Sequence, residues 1–267
     1  MPHPQLMTLQ QWTGPARWRA VLPHSCAQHA VIWLTRGQGR CLLDGRRRGI
    51  GVHNAICIPA GHLFAIDPGA QTFGLVCLVP PGGPVLMPDE PQLLRIRDTR
   101  AQADLTALLD AMQREQNDAA RFADEALTAH ASLLTVWLRR AMIAQEAPTD
   151  TEKAADRLVA AYAALLERDF ASGKVMQDYA RELGVTPTHL TRSCKASAGM
   201  TASALLTGRI LHAARDLLET GDYAAKQIAT TLGFRSAAYF SRFIQHHTGQ
   251  TPSALRRAAQ RAPELAG

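Results

Sequence analysis

The chain has 267 residues, with 29 Lys and Arg against 23 Asp and Glu, a formal net charge of +6 and an isoelectric point near 9.4. That length accommodates two domains, each with its own core. No apolar stretch approaches the roughly 20 residues of a membrane-spanning helix, and no basic segment followed by an apolar run opens the chain. The five cysteines (Cys26, Cys41, Cys57, Cys77 and Cys194) are scattered without C-x-x-C spacing, which excludes a disulfide framework and a zinc finger. The expectation is a soluble, cytoplasmic protein with no membrane partner. The basic excess leans toward the carboxyl-terminal half, with 14 basic and 12 acidic residues up to Ala147 against 15 and 11 from Pro148 onward.

Between Trp18 and Pro80, glycine and proline cut the chain into short runs of strand formers. Ala30–Thr35 is the richest, Asp44-Gly45 is a hairpin signal, and Phe73–Val79 closes the series. Many short strands at close spacing predict a sandwich or barrel. The period then changes. Leu105, Leu108, Leu109 and Met112 share one helical face, and Leu127, Leu134, Leu138 and Ala141 share another. Two helices packed on the barrel, or on a second subunit in a homodimer, follow from that spacing.

The polar, proline-broken run over 146–152 reads as a linker. It divides the chain into two expected domains, over 1–145 and 153–267. Leu158, Tyr162 and Leu165 give the apolar stripe of the helix that opens the second part. From Tyr179 the sequence then repeats itself. Ala180 pairs with Ala229, Gly184 with Gly233, Leu190 with Phe240, Arg192 with Arg242, Gly199 with Gly249 and Ser203 with Ser253. Each copy reads as a short helix, a turn containing Gly, and a second helix closed by Gly, the layout of a helix-turn-helix unit.

The segment Ile228–Leu255, I-A-x-x-L-G-F-x-S-x-x-Y-F-S-R-F-I-x-x-x-x-G-x-T-P-S-A-L, resembles the signature of the AraC/XylS family of bacterial transcription regulators. The resemblance is strong from about Asp156 to Arg257. It is looser in the front half, through W-L-T-R-G-Q-G, L-D-G and I-P-A-G-H. It implies an α+β protein with a cupin-like β-barrel and packing helices, followed by an all-α double helix-turn-helix domain. Its partners would be promoter or operator double-stranded DNA and a small-molecule effector held in the barrel.

In the first unit, Thr186 can cap the second helix and Pro187 suits its first position. Leu190 and Cys194, four apart, face the core, which leaves Thr188, Thr191, Arg192 and Lys195 for DNA. In the second unit Ser236 is the cap and Phe240, Phe243 and Ile244 face inward, leaving Ala237, Ala238, Ser241, Arg242 and Gln245. Arg can bond guanine bidentately and Thr can meet a base or a thymine methyl, whereas the alanines imply backbone contacts and methyl packing. Arg209, on the helix joining the units, reads either as a phosphate contact or as a structural ion pair. Ser193-Cys194 stands where the second unit has Phe243-Ile244, so the first unit is expected to lose apolar burial of about 1–3 kcal/mol and some rigidity. A redox role for Cys194 is weighed against an inert buried thiol, which is the commoner case.

The barrel raises an enzyme alternative, because cupins often hold a catalytic metal. Their pattern is H-x-H, a Glu about four residues on and a His after P-x-G; here His24, Cys26, Ala30 and Phe64 stand in those slots. Two strong ligands are missing, so no metal and no cofactor is expected. A metal-free effector pocket would draw on His24, His29, Trp33, His53, His62 and Phe64. Arg46-Arg47-Arg48 leaves three readings open: a solvated turn, a site for an anionic effector, or a contact with RNA polymerase. The rivals to an effector-controlled regulator are an effector-independent one whose barrel only dimerises, and a cupin enzyme with a DNA-binding tail.

Overall fold

The computed structural model describes residues 3–118, 120–145 and 154–261, so the linker read over 146–152 lies outside the described residues. The chain opens with β1 (Gln5–Thr8), α1 (Leu9–Thr13) and α2 (Trp18–Val21). Seven strands follow: β2 (His29–Arg36), β3 (Gln38–Leu43), β4 (Arg46–Gly51), β5 (Asn54–Ile58), β6 (Phe64–Pro68), β7 (Phe73–Val79) and β8 (Gln92–Arg95). They pair antiparallel in two sheets, of order β1-β7-β2-β5-β8 and β4-β3-β6. The α+β reading holds, with one refinement: the strands form two facing sheets rather than one continuously closed barrel. The expected hairpin sits at Asp44-Gly45, where both residues adopt positive φ (44° and 73°) and Leu43 pairs with Arg46. These are the torsions that Asp-Gly tolerates in a tight turn.

The space between the sheets is filled by side chains. Ile32, Leu34, Ile56, Ile58 and Val76 from the larger sheet meet Cys41, Leu43, Ile50, Phe64 and Ile66 from the smaller. Alternation along β2 then sends Val31 and Trp33 to the opposite face. There α3 (Thr99–Asp118) and α4 (Ala123–Gln145) pack, burying Leu105, Leu109, Met112, Leu127, Leu134 and Leu138, with Leu108 and Ala141 at the margin. A central strand covered on both faces needs apolar residues throughout, which is why A-V-I-W-L shows no alternation.

The remaining helices are α5 (Ala154–Asp169), α6 (Met176–Glu182), α7 (Pro187–Ala198), α8 (Ala202–Thr220), α9 (Ala225–Thr231), α10 (Ala237–Thr248) and α11 (Pro252–Arg261). On α5 the buried face is Val159, Tyr162, Ala163 and Leu166, turned by one position from the expected stripe, with Leu158 and Leu165 at its edge. The first helix-turn-helix core does not close on itself. Leu42, Leu63 and Ala65, on the outer face of the smaller sheet, join Val159, Tyr162, Tyr179, Leu190 and Cys194 in one apolar cluster. The hairpin tip takes part as well, since a Cβ on Gly45 would lie 2.4 Å from Val159 Cγ1.

Candidate nucleic-acid interface

The second helices of the two units, α7 and α10, have matching termini because their flanking residues are matched. Thr186 accepts a hydrogen bond from the His189 amide at 3.2 Å, Pro187 takes the first helical position, and Gly199 ends α7 in the left-handed region at φ 69°. Ser236 accepts from the Tyr239 amide at 3.2 Å, and Gly249 ends α10 at φ 72°. Each side-chain cap satisfies an orphan amide of the first turn. Leu190 and Phe240, paired in the sequence repeat, are both fully buried. They fix the rotation of the two helices. Between the units runs α8, a single 19-residue helix capped by Thr201, whose hydroxyl accepts from the Ala204 amide at 3.0 Å.

Thr188, Arg192 and Lys195 are exposed on α7, and Thr191 is half-buried beside them. On α10, Ala238, Arg242 and Gln245 are exposed, while Ala237 and Ser241 are half-buried. Arg192, Lys195 and Arg242 make no ion pair among the described residues, so their charges are available to an anionic partner. Sequence reasoning passed over His189, Arg235 and Tyr239, which are exposed at the start of the same two helices. The available signal was their place beside the cap, Arg235 just before Ser236 and the other two in the first turn, where recognition helices meet base edges.

Arg209 lies apart from these residues, and of its two readings the ion pair is the one its surroundings favour. It is buried, its Nε lies 2.8 Å from Glu167 Oε1, and its guanidinium covers the Phe170 ring at 3.7 Å. Ser25 donates to the other Glu167 oxygen at 2.7 Å, so the pair also ties in the segment before β2. With its charge committed to Glu167, Arg209 is a structural ion pair. The apolar deficit expected at Cys194 is made good by Tyr162 and Tyr179, whose rings meet edge to face at 5.6 Å beside it. Tyr162 also donates to the Ala202 carbonyl at 2.8 Å. Burial pushes the Cys194 thiol up to about 12, which keeps it protonated and unreactive.

The six candidate effector residues do not converge. Trp33 stacks on His53 at 5.8 Å in a cleft of about 490 Å³ under α3, shared with Thr99, Gln102, Thr106 and Asp110. Alternation explains the split, since Trp33 points out of the sandwich and Phe64 into it. His29 Nδ1 accepts from the Ala60 amide at 3.1 Å, and His62 Nδ1 donates to Asp44 at 2.7 Å, which raises the His62 pKa. His24 packs on Phe64 at 4.2 Å and, on its other side, lies parallel to His212 of α8 at 4.2 Å. The adjoining cleft of about 200 Å³ is lined by Trp12, Arg19, Ser25, Cys26 and Asp216. Among the described residues, no group of three His, Cys, Asp or Glu side chains is placed to hold a metal ion. Among the same residues, no helix is long and apolar enough to cross a membrane.

Two capped helix-turn-helix units joined by one helix define a bipartite DNA-binding domain. Residues 179–258 match the family model described as a helix-turn-helix domain. No curated protein matches the chain. Among solved structures, ToxT from Vibrio cholerae with an unsaturated fatty acid bound shares 13% identity and a TM-score of 0.42, covering 95% of each chain. The carboxyl-terminal domain of AraT, a response regulator from Geobacillus stearothermophilus, shares 24% identity over 41% of this chain and 88% of its own, with a TM-score of 0.36. An AraC-type regulator from Chromobacterium violaceum shares 29% identity over 40% of this chain and 93% of its own, with a TM-score of 0.35.

Proposed function

We propose that the protein is a sequence-specific transcription regulator that reads two successive major-groove segments with α7 and α10, under the control of a small molecule bound by its amino-terminal part. The observation that carries the reading is the pairing of two equally long, equally capped helices, each with an exposed face whose cations lack carboxylate partners. Thr188, Thr191, Arg192 and Lys195 would serve the first segment. Ala237, Ala238, Ser241, Arg242 and Gln245 would serve the second, with fewer hydrogen bonds to base edges. Residues 1–145 would form the sensing domain and 153–267 the DNA-binding one. Leu133 and Ile143, exposed on α4, mark the face on which a second copy would pack.

Effector control is supported by the seam between the halves. His24 stacks on His212 of α8, and Ser25 beside it bonds Glu167 of α5, which holds Arg209 of α8. A ligand in the cleft that His24, Ser25 and His212 line would therefore act directly on α5 and α8. Such a ligand shifts the equilibrium only by its difference in affinity for the two arrangements. Selection of bound duplexes from a random library by the full-length protein tests the reading. A shared two-part motif spanning about two major grooves is expected, and binding without sequence preference would contradict it.

A further inference from the structure

We propose that Arg47, on the sensing half, forms part of the DNA interface as a phosphate-backbone contact that extends the first recognition helix. The inference rests on α7 being a recognition helix. Thr188, Arg192, Lys195 and Gly199 follow one another at steps of three or four residues and are all exposed, forming one stripe along α7. The last position of that stripe has no side chain of its own. Arg47 of β4 occupies it instead: a Cβ on Gly199 would lie 2.9 Å from Arg47 Nη1 and 3.6 Å from its Cδ. The basic stripe is thus continued by one residue from the other half of the chain.

Three features fit a polyanion better than the solvated turn. Arg47 pairs across from Leu42, whose side chain is buried in the core shared with α5 and α7, so its strand is anchored to the DNA-binding part. Arg47 and the neighbouring Arg48 are exposed and have no carboxylate partner among the described residues; Arg48 Nη1 donates to the Arg47 carbonyl at 3.2 Å. Asp67, the acid on the same sheet face, is already held by Arg17 at 2.6 Å. Contacts of this kind set register and affinity and carry no sequence information. In this arrangement the sandwich contributes directly to binding, so any shift of the seam would move Arg47 relative to α7.

The test compares the full-length protein with Arg47→Gln and Arg47→Lys on two probes, a duplex selected by the wild type and one of random sequence. Affinity is measured over a range of salt concentrations. Arg47→Gln keeps the stem over Gly199 and the capacity to bond the last carbonyls of α7 while removing the charge. It should weaken both duplexes alike, about 5–10-fold near 0.1 M salt, and reduce the slope of log K against log salt by about 0.9. Arg47→Lys should restore the slope. An unchanged slope in Arg47→Gln would overturn the proposal, including the case where only thermal stability falls and Arg47 merely steadies the helix end. So would a loss confined to the selected duplex. Failure of the underlying reading would show separately, as a wild type that does not prefer the selected duplex.

Discussion

His24 and His212 lie face to face across the seam between the two halves, ring centroids 4.2 Å apart and planes within 2°. His24 Nδ1 donates to the Leu22 carbonyl at 2.8 Å and His212 Nε2 to the Arg19 carbonyl at 3.2 Å. Burial, helped by the nearby Arg209 guanidinium, depresses both, to about 4 for His24 and about 3 for His212. Asp216, held by Arg19 at 2.9 Å, pulls His24 the other way without reversing the shift.

This pair predicts a pH dependence of stability. Both imidazoles are neutral when folded and take up protons near 6.5 when unfolded. Their contribution is therefore complete above about pH 6.5 and is lost as pH falls toward the folded values. Each should lose at most about 2 kcal/mol between pH 6.5 and 5. His62, raised by Asp44, acts oppositely: its stabilisation is present below its unfolded value and lost as pH rises. Denaturant titrations at pH 7, 6 and 5 should show a steep loss in the wild type and a shallower one in His212→Phe. Parallel pH profiles would refute the assignment.

Arg209→Ala should destabilise the fold by about 3–5 kcal/mol, because it leaves the nearly buried Glu167 carboxylate without its counter-charge and with only the Ser25 hydroxyl to bond it. The salt dependence of DNA binding should stay as in the wild type, measured under conditions where the variant is folded. A reduced salt slope would return Arg209 to the phosphate-contacting set.

Leu42→Ala removes a side chain of the smaller sheet from the core of the first helix-turn-helix unit, and a loss of about 2–5 kcal/mol is expected. Hydrogen exchange should then show faster opening in α5 and α7 as well as in β3. Protection lost in the sheet alone would mean that the two halves do not share a core energetically.

The boundaries of α7 and α10 were legible in the sequence because caps are local: Thr186-Pro187, Ser236, Gly199 and Gly249 act within a turn of where they stand. The stripes of α3 and α4 were legible because each packs one face. Trp33 was not, since a strand buried on both sides carries no alternation to reveal which face a residue takes. Arg209 was ambiguous for a different reason. Its partner Glu167 is 42 residues away, and nothing near it in sequence shows the Phe170 ring beneath its guanidinium. Cys194 looked like a packing defect until Tyr162 and Tyr179 were seen to fill the space.

Arg192→Ala should cost about 1–3 kcal/mol of binding and relax preference at one base position, read by comparing affinities for the selected duplex and its single-base variants. A uniform loss across all variants would instead make Arg192 a backbone contact.

The central claim is that α8 holds two reading helices at a fixed separation, about one turn of DNA (roughly 34 Å) apart. It is tested most directly by measuring affinity for the selected two-part site before and after inserting five base pairs, half a helical turn, between its parts. The account predicts that insertion reduces binding to the level of a single half-site, because the second helix would face the wrong side of the duplex. Undiminished affinity would contradict it.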